Sequence, residues 1–325
     1  KKFRPDCVIT DFEPMTAYLA NHYDLPLITI DNQHRLRYMS YPCPARLQAE
    51  RKMTKTIIRA MVPRPDVSLV TTFYYGAPQN DRTFFFPPIL RQEVLSLQTS
   101  SGNHIIVYLT SGFESFLKRL NAFSRETFIV YGAEKEGTHK NLNYKAFSKN
   151  GFLNDLASCK AVMATAGFTL MTESFYLRKP YLALPMRGQF EQEINGFLLA
   201  RLKYGVNIRR PTSEAIGHFL YRIPDFAENL KGYKAQGNAA IKKRLSELLV
   251  DNGVLARDFH RKWSCIRYGH RNMSFPFGFE WGYIDNNPAS SISRFPETGC
   301  QYIARDLEVF HRLSEKKGIR GNDAA

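Results

Sequence analysis

None of the five cysteines in this 325-residue chain has a neighbour at CxxC spacing, and their number is odd. That excludes the common patterns of a disulfide framework or a zinc site. Cys7, Cys43, Cys159, Cys265 and Cys300 read instead as inert thiols of a reducing compartment, which points to the cytoplasm. No run reaches the roughly 18 consecutive apolar residues that span a bilayer, and no leader peptide is recognisable. Asp-x-Asp is missing, and with it the usual pattern for a metal-bridged diphosphate, so no metal is expected. Internal repeats and low-complexity tracts are also missing. The chain opens on Lys1 rather than Met, inside what reads as the approach to a strand, so further sequence is expected ahead of it.

Positive charge is plentiful. Lys and Arg number 45 against 30 Asp and Glu, a formal +15. A basic surface favours polyanions: nucleic acid, anionic headgroups or phosphorylated small molecules. Dense Lys/Arg runs with RNA-type aromatic motifs are absent, which argues against nucleic acid. At about 100–200 residues per domain, the length predicts two domains.

The pattern along the chain is α/β. Strands are expected at 7–10, 27–30 and 67–75, with helices from Pro14 to Tyr23 and Arg46 to Met61. Pro78 to Ser101 breaks this alternation with Pro87-Pro88 and a polar run, which sets residues 1–85 apart as a first domain and 86–102 as a linker. A second block, 103–250, alternates again. Its strands are expected at 105–109, 127–131, 161–164 and 181–184, and its helices at 113–123, 151–158, 169–177 and 191–204. A helical stretch from Glu214 to Val250 breaks near Gly232 to Gly237. Such alternation predicts βαβ units on a parallel sheet. Residues 251–325 form an extension rich in aromatics and arginine, with a last helix expected from Tyr302 to Leu313. Its composition suits either an anionic membrane surface or packing against the main domains.

Ligands of open parallel sheets bind beyond the C-terminal strand ends. Three such ends carry suitable residues. Ser111 and Gly112 follow the strand at 105–109, where small residues let backbone amides approach a phosphate. Thr165 to Thr169 follows the strand at 161–164; the chain turns at Gly167, and Thr169 is expected to cap the next helix. Glu173, one turn inside, either accepts two ribose hydroxyls or simply complements the helix dipole. The third end, Pro185 to Asn195, crowds Arg187, Gln189, Glu191, Gln192 and Asn195 into one loop and helix start. In the first block, Asp31 and His34 end a strand. They read either as a base with its orienting carboxylate or as a capped turn.

The run Gly167-Phe168-Thr169-Leu170, Thr172-Glu173, Lys179-Pro180, Pro185 and Gly188 through Asn195 resembles the C-terminal domain of family 28-type GT-B glycosyltransferases. It is similar to the enzyme that adds N-acetylglucosamine to lipid I, and more so to a group of archaeal and bacterial glycosyltransferases. The loops Asp11 to Pro14 and Asp31 to His34 fit the acceptor-side domain of the same group. The resemblance covers about residues 1–204 and departs from the pattern at Ala166, where many members carry a second Gly or a His. It implies two Rossmann-like domains, the N-terminal one incomplete in this chain. It implies that Ser111 and Gly112, with Ala166, Gly167, Phe168 and Thr169, hold the donor diphosphate. Glu173 would bind the ribose, Gln189 and Gln192 the donor sugar, and Phe152 would lie near the nucleobase. Asp31 and His34 would face the acceptor. The implied activity is transfer of a sugar from a UDP-sugar, a co-substrate, to an acceptor that is lipid-linked or part of the cell envelope. Inversion at the anomeric carbon follows from the resemblance alone, whereas contact with the inner face of an anionic membrane is read from the aromatic and basic extension. Two other readings fit the same plan: a UDP-sugar epimerase, and a non-catalytic sugar-nucleotide-binding protein.

Overall fold

The computed structural model describes residues 5–109, 114–133, 135–234 and 236–250. The expected helix at 302–313, and the whole extension from 251, lie outside these residues. Residues 1–251 make one compact unit, built on two sheets.

The first sheet is four-stranded and wholly parallel, in the order β1 (Val8–Thr10), β2 (Leu27–Asp31), β3 (Val67–Thr71) and β4 (Thr83–Phe86). All five residues of β3 are buried, as expected for a parallel strand covered on both faces. Helix α1 (Pro14–His22) connects β1 to β2. Glu13 caps it by accepting from the Met15 and Thr16 amides at 2.8 and 2.7 Å, and Pro14 sits in the first turn. A short helix α2 (Arg35–Tyr38) follows β2, and α3 (Gln48–Met61) returns the chain to β3. Strand β4 falls inside the stretch from Pro78 to Ser101 that the sequence marks as irregular. Its aromatic run Phe84-Phe85-Phe86 was hidden by the prolines that follow it. A short helix α4 (Gln92–Leu95) also lies in that stretch.

The second sheet has seven strands. They are β5 (His104–Tyr108), β6 (Thr127–Tyr131), β7 (Gly137–His139), β8 (Leu142–Tyr144), β9 (Ala161–Ala164), β10 (Tyr181–Ala183) and β11 (Gly205–Asn207). They lie in the order β11-β10-β9-β5-β6-β8-β7, and every pair is parallel except β7 with β8. The helices between them are α5 (Glu114–Leu120), α6 (Lys149–Ser158), α7 (Phe168–Tyr176) and α8 (Phe190–Arg201). After β11 come α9 (Ser213–Tyr221), α10 (Ile223–Lys231) and α11 (Ala239–Val250). The long helical stretch therefore breaks twice. The unexpected break lies at Arg222, where Pro224 starts α10 because it suits only a first turn. The strands at β7, β8 and β11, each three residues long, were too short to show a pattern.

Two apolar layers cover the second sheet. One holds Ile106, Ile129, Leu156, Val162 and Leu198, and it continues into Leu36, Met39 and Phe73 of the first sheet's helices and loops. The other lies on the opposite face, around Ile105, Val107, Phe128, Met163 and Phe219. Shared burial of the first layer holds the two sheets together.

Candidate active site

The C-terminal ends of β9 and β10 are neighbours on one sheet edge, and both open into helices. The turn after β9 is capped by Gly167 itself, and α7 begins at Phe168, so Thr169 sits inside the helix rather than at its cap. No side chain caps α7. A carbon added at Gly167 would meet nothing within 4 Å. The first amides of α7 therefore have no side-chain acceptor, the arrangement that receives anions. Ala166 is buried, and its carbonyl accepts from Asn195 Nδ2 at 2.9 Å. Only the backbone of Ala166 serves the corner.

The loop after β10 behaves similarly. Gly188 has φ +76°, which a side chain would strain. Helix α8 also starts without a side-chain cap. Gln192 Nε2 donates to Gln189 Oε1 at 2.5 Å, and Gln192 Oε1 accepts from the Met186 amide at 3.1 Å. The two glutamines expected at the donor sugar are thus side by side.

Glu173 differs from its expected role. It is buried, and both of its oxygens accept from Arg91, from Nε at 2.7 Å and from Nη2 at 2.8 Å. A ribose at this carboxylate would have to take the place of Arg91. Phe152 is also buried, against Tyr108, Tyr131 and Phe147. The most exposed ring of this cluster is Phe147, 62% exposed. The sequence singled out the buried member because the exposed one lies in a loop without a motif. Ser111 and Gly112 lie outside the described residues.

Opposite the second sheet, Asp31 receives the His34 amide at 2.8 Å on Oδ1 and pairs with His34 Nδ1 at 2.6 Å on Oδ2. Both side chains are fully enclosed. Tyr38 stacks on the imidazole with ring centroids 5.4 Å apart, and Phe12 meets its edge at 6.0 Å. His34 Nε2 has no partner. The pair has the geometry of an oriented base, but an acceptor reaches Nε2 only after a neighbouring ring moves.

The same loop docks on α8. Asn32 Nδ2 donates to Glu191 at 2.7 Å, and Arg35 Nη2 donates to Asn195 Oδ1 at 2.5 Å. Arg35 is fully buried, with its guanidinium 5.3 Å from the Phe168 ring and 5.9 Å from that of Phe73. Burial lowers its pKa, against the raising effect of Glu191. Sequence reading passed over Arg35, since a single Arg after a strand carries no pattern. It brings the Asp31–His34 loop to the helix starts that follow β9 and β10.

A family model described as glycosyl transferase family 1 matches residues 1–224. The chain belongs to this family. It is 23% identical over 231 residues to a protein from Methanosarcina mazei described as an uncharacterized glycosyltransferase. That match covers 63% of this chain and 60% of the relative, so the chain spans about three fifths of the relative's length. Among solved structures it is similar to a Phytolacca americana UGT2 complexed with UDP-2-fluoro-glucose and pterostilbene. There the TM-score is 0.55 and the identity 14%, with 74% of each chain covered. The glycotransferase of kitacinnamycin gives 0.53 at 17% identity, covering 77% of this chain and 76% of that one. LpCGTa in complex with UDP gives 0.53 at 14%, covering 76% of each. At such identities these likenesses speak for the fold alone, and the fold is GT-B, with Rossmann-like α/β sheets as expected. In this glycosyl transferase family 1 chain, Asn32 and Arg35 tie the Asp31–His34 loop to Glu191 and Asn195 of α8, the helix whose start carries the Gln189–Gln192 pair.

Proposed function

We propose that the chain transfers a hexosyl group from a UDP-sugar to an acceptor hydroxyl, without a metal and with inversion. The observation that carries this reading is the turn from β9 into α7. It combines an uncapped helix start, an open corner at Gly167 and a second uncapped helix start beside it. Oriented amides stabilise charge that develops on a departing diphosphate, which is what a metal would otherwise do. In this reading Gln189 and Gln192 hold the sugar, and Glu173 takes the ribose once Arg91 yields. His34 Nε2, oriented by Asp31, accepts the proton of the attacking hydroxyl. Phe147 offers its exposed ring to the base. A lipid-linked acceptor, and work on the cytoplasmic face of an anionic membrane, belong to the same proposal. The charge of +15 supports it, and among the described residues no helix is long and apolar enough to cross a bilayer.

UDP is expected to raise the thermal midpoint, and Glu173→Ala to abolish most of that rise. Glu173→Gln, which keeps hydrogen-bonding capacity, should retain part of it. No shift with UDP in the unsubstituted chain would remove the donor reading.

A second reading rests on the enclosure of His34. A chain whose base never meets an acceptor would bind the sugar nucleotide without turning it over. Release of UDP from UDP-glucose or UDP-N-acetylglucosamine in an acceptor screen separates the two. Conversion of either donor alone into its epimer would instead indicate an epimerase.

A further inference from the structure

A cavity of about 660 Å³ is lined by the Gln189 loop, and segments from both sheets contribute to it. The loops after β10 and β11 supply Arg187, Arg209 and Arg210, the short turn Ala45–Leu47 before α3 supplies Arg46, and the first turn of α3 supplies Glu50. Glu193 of α8 accepts from Arg46 at 2.9 Å and from Arg209 at 3.2 Å, and so holds two of the four guanidinium groups in place. Arg187 and Arg210 are exposed, and among the described residues neither has an ion pair or a side-chain hydrogen bond. Phe190, the first residue of uncapped α8, also lines the cavity. The charge balance of the lining is four Arg against two Glu. Glu50 lines the cavity, and its Oε2 is buried and has no partner among the described residues.

Four guanidinium groups with a net surplus of two positive charges, at the open end of a helix, match a phosphate ester. A lone carboxylate oxygen in the same space matches a hydroxyl donor. The volume is within the range of a small-molecule site and far exceeds that of one phosphate. We propose that this cavity binds a phosphorylated, hydroxyl-bearing substrate, the acceptor of the transfer. Its phosphate rests on Arg187 and Arg210, braced by Arg46 and Arg209, and a hydroxyl is held by Glu50. The proposal rests on the reading that the β9–α7 corner takes the donor, because only then does the cavity flank the donor sugar.

The test uses the full chain and isothermal titration with three probes: glucose 1-phosphate, glucose and inorganic phosphate. Glucose 1-phosphate is expected to bind, glucose not to bind, and inorganic phosphate to bind more weakly than the sugar phosphate. Loss of two charge-assisted contacts in the R187M/R210M variant should weaken glucose 1-phosphate at least about tenfold. Both side chains are exposed, so the variant should keep the unfolding midpoint of the parent. UDP binding, read in the same variant, should be unchanged. No binding of glucose 1-phosphate, or binding that the double substitution leaves intact, overturns the proposal. Inorganic phosphate binding as tightly as the sugar phosphate would assign the cavity to a free anion and overturns the acceptor assignment. A parallel loss of UDP binding would place the donor diphosphate there and overturn it as well. Failure of the donor reading shows separately, as an absent UDP shift in the unsubstituted chain.

Discussion

Lys179 follows α7, and its ammonium donates to the carbonyls of Ser100 and Cys159. The resemblance marked Lys179-Pro180 as part of a motif; the structure shows a cation that pins the segment before β5 to the turn before β9. Burial lowers its pKa below the ordinary 10.5, while the neighbouring Cys159 thiol is pushed up to about 12 and stays neutral. In the window below 10.5 the unfolded chain therefore binds more protons at this site than the folded chain, so this group's contribution rises with pH. Between neutrality and 10.5, denaturant titrations should show the stability difference between wild type and Lys179→Met moving in favour of wild type. A constant difference would mean that Lys179 titrates as if exposed. At the same scale, the Asp31–His34 pair and the two glutamines were legible in the sequence because they stand in dense polar clusters. Arg91 was not, since its partner Glu173 is 82 positions away and no local spacing joins them.

At the scale of elements, the sequence made plain what periodicity carries. The strands β2, β5, β6, β9 and β10 and the helices α1, α3, α6, α7 and α8 lie within a few residues of their expected places, because buried parallel strands read as unbroken apolar runs. Apart from β4, the missed strands share a cause. Strands β7, β8 and β11 have three residues each, too few to show a period, and β11 pairs with β10 across the whole of α8. Strand β11 shows this most clearly. Gly205 pairs with Tyr181 across β10, and a carbon added there would lie 1.8 Å from the Tyr181 carbonyl oxygen. Glycine at this position lets the edge strand approach, and the strand carries the chain towards Arg209 and Arg210. Gly205→Ala is expected to cost about 1–3 kcal/mol, measured by chemical denaturation. Unchanged stability would show that β11 contributes little to the sheet.

For the molecule as a whole, the junction between the sheets matters most. It carries Arg35 between two aromatic rings and two polar groups of α8. Truncating so large a buried side chain leaves a cavity and strips Asn195 Oδ1 of its donor. Arg35→Ala should therefore lower stability by about 3 kcal/mol or more. Because the apolar layer is shared across the junction, urea unfolding of both proteins should remain a single transition by circular dichroism and by intrinsic fluorescence. Two separated transitions in the variant would show that Arg35 alone couples the sheets. Arg35→Met, which refills the volume, should recover part of the loss. A second tie has a different character. Arg91 belongs to the stretch of chain that leads from one sheet to the other, and it grips Glu173 at the corner where the nucleotide is proposed to sit. A guest that claims that carboxylate evicts the arginine and slackens the tether. Loading of the donor would then be felt first in the strap between the halves, as an unbuckling, before any larger movement of the halves themselves.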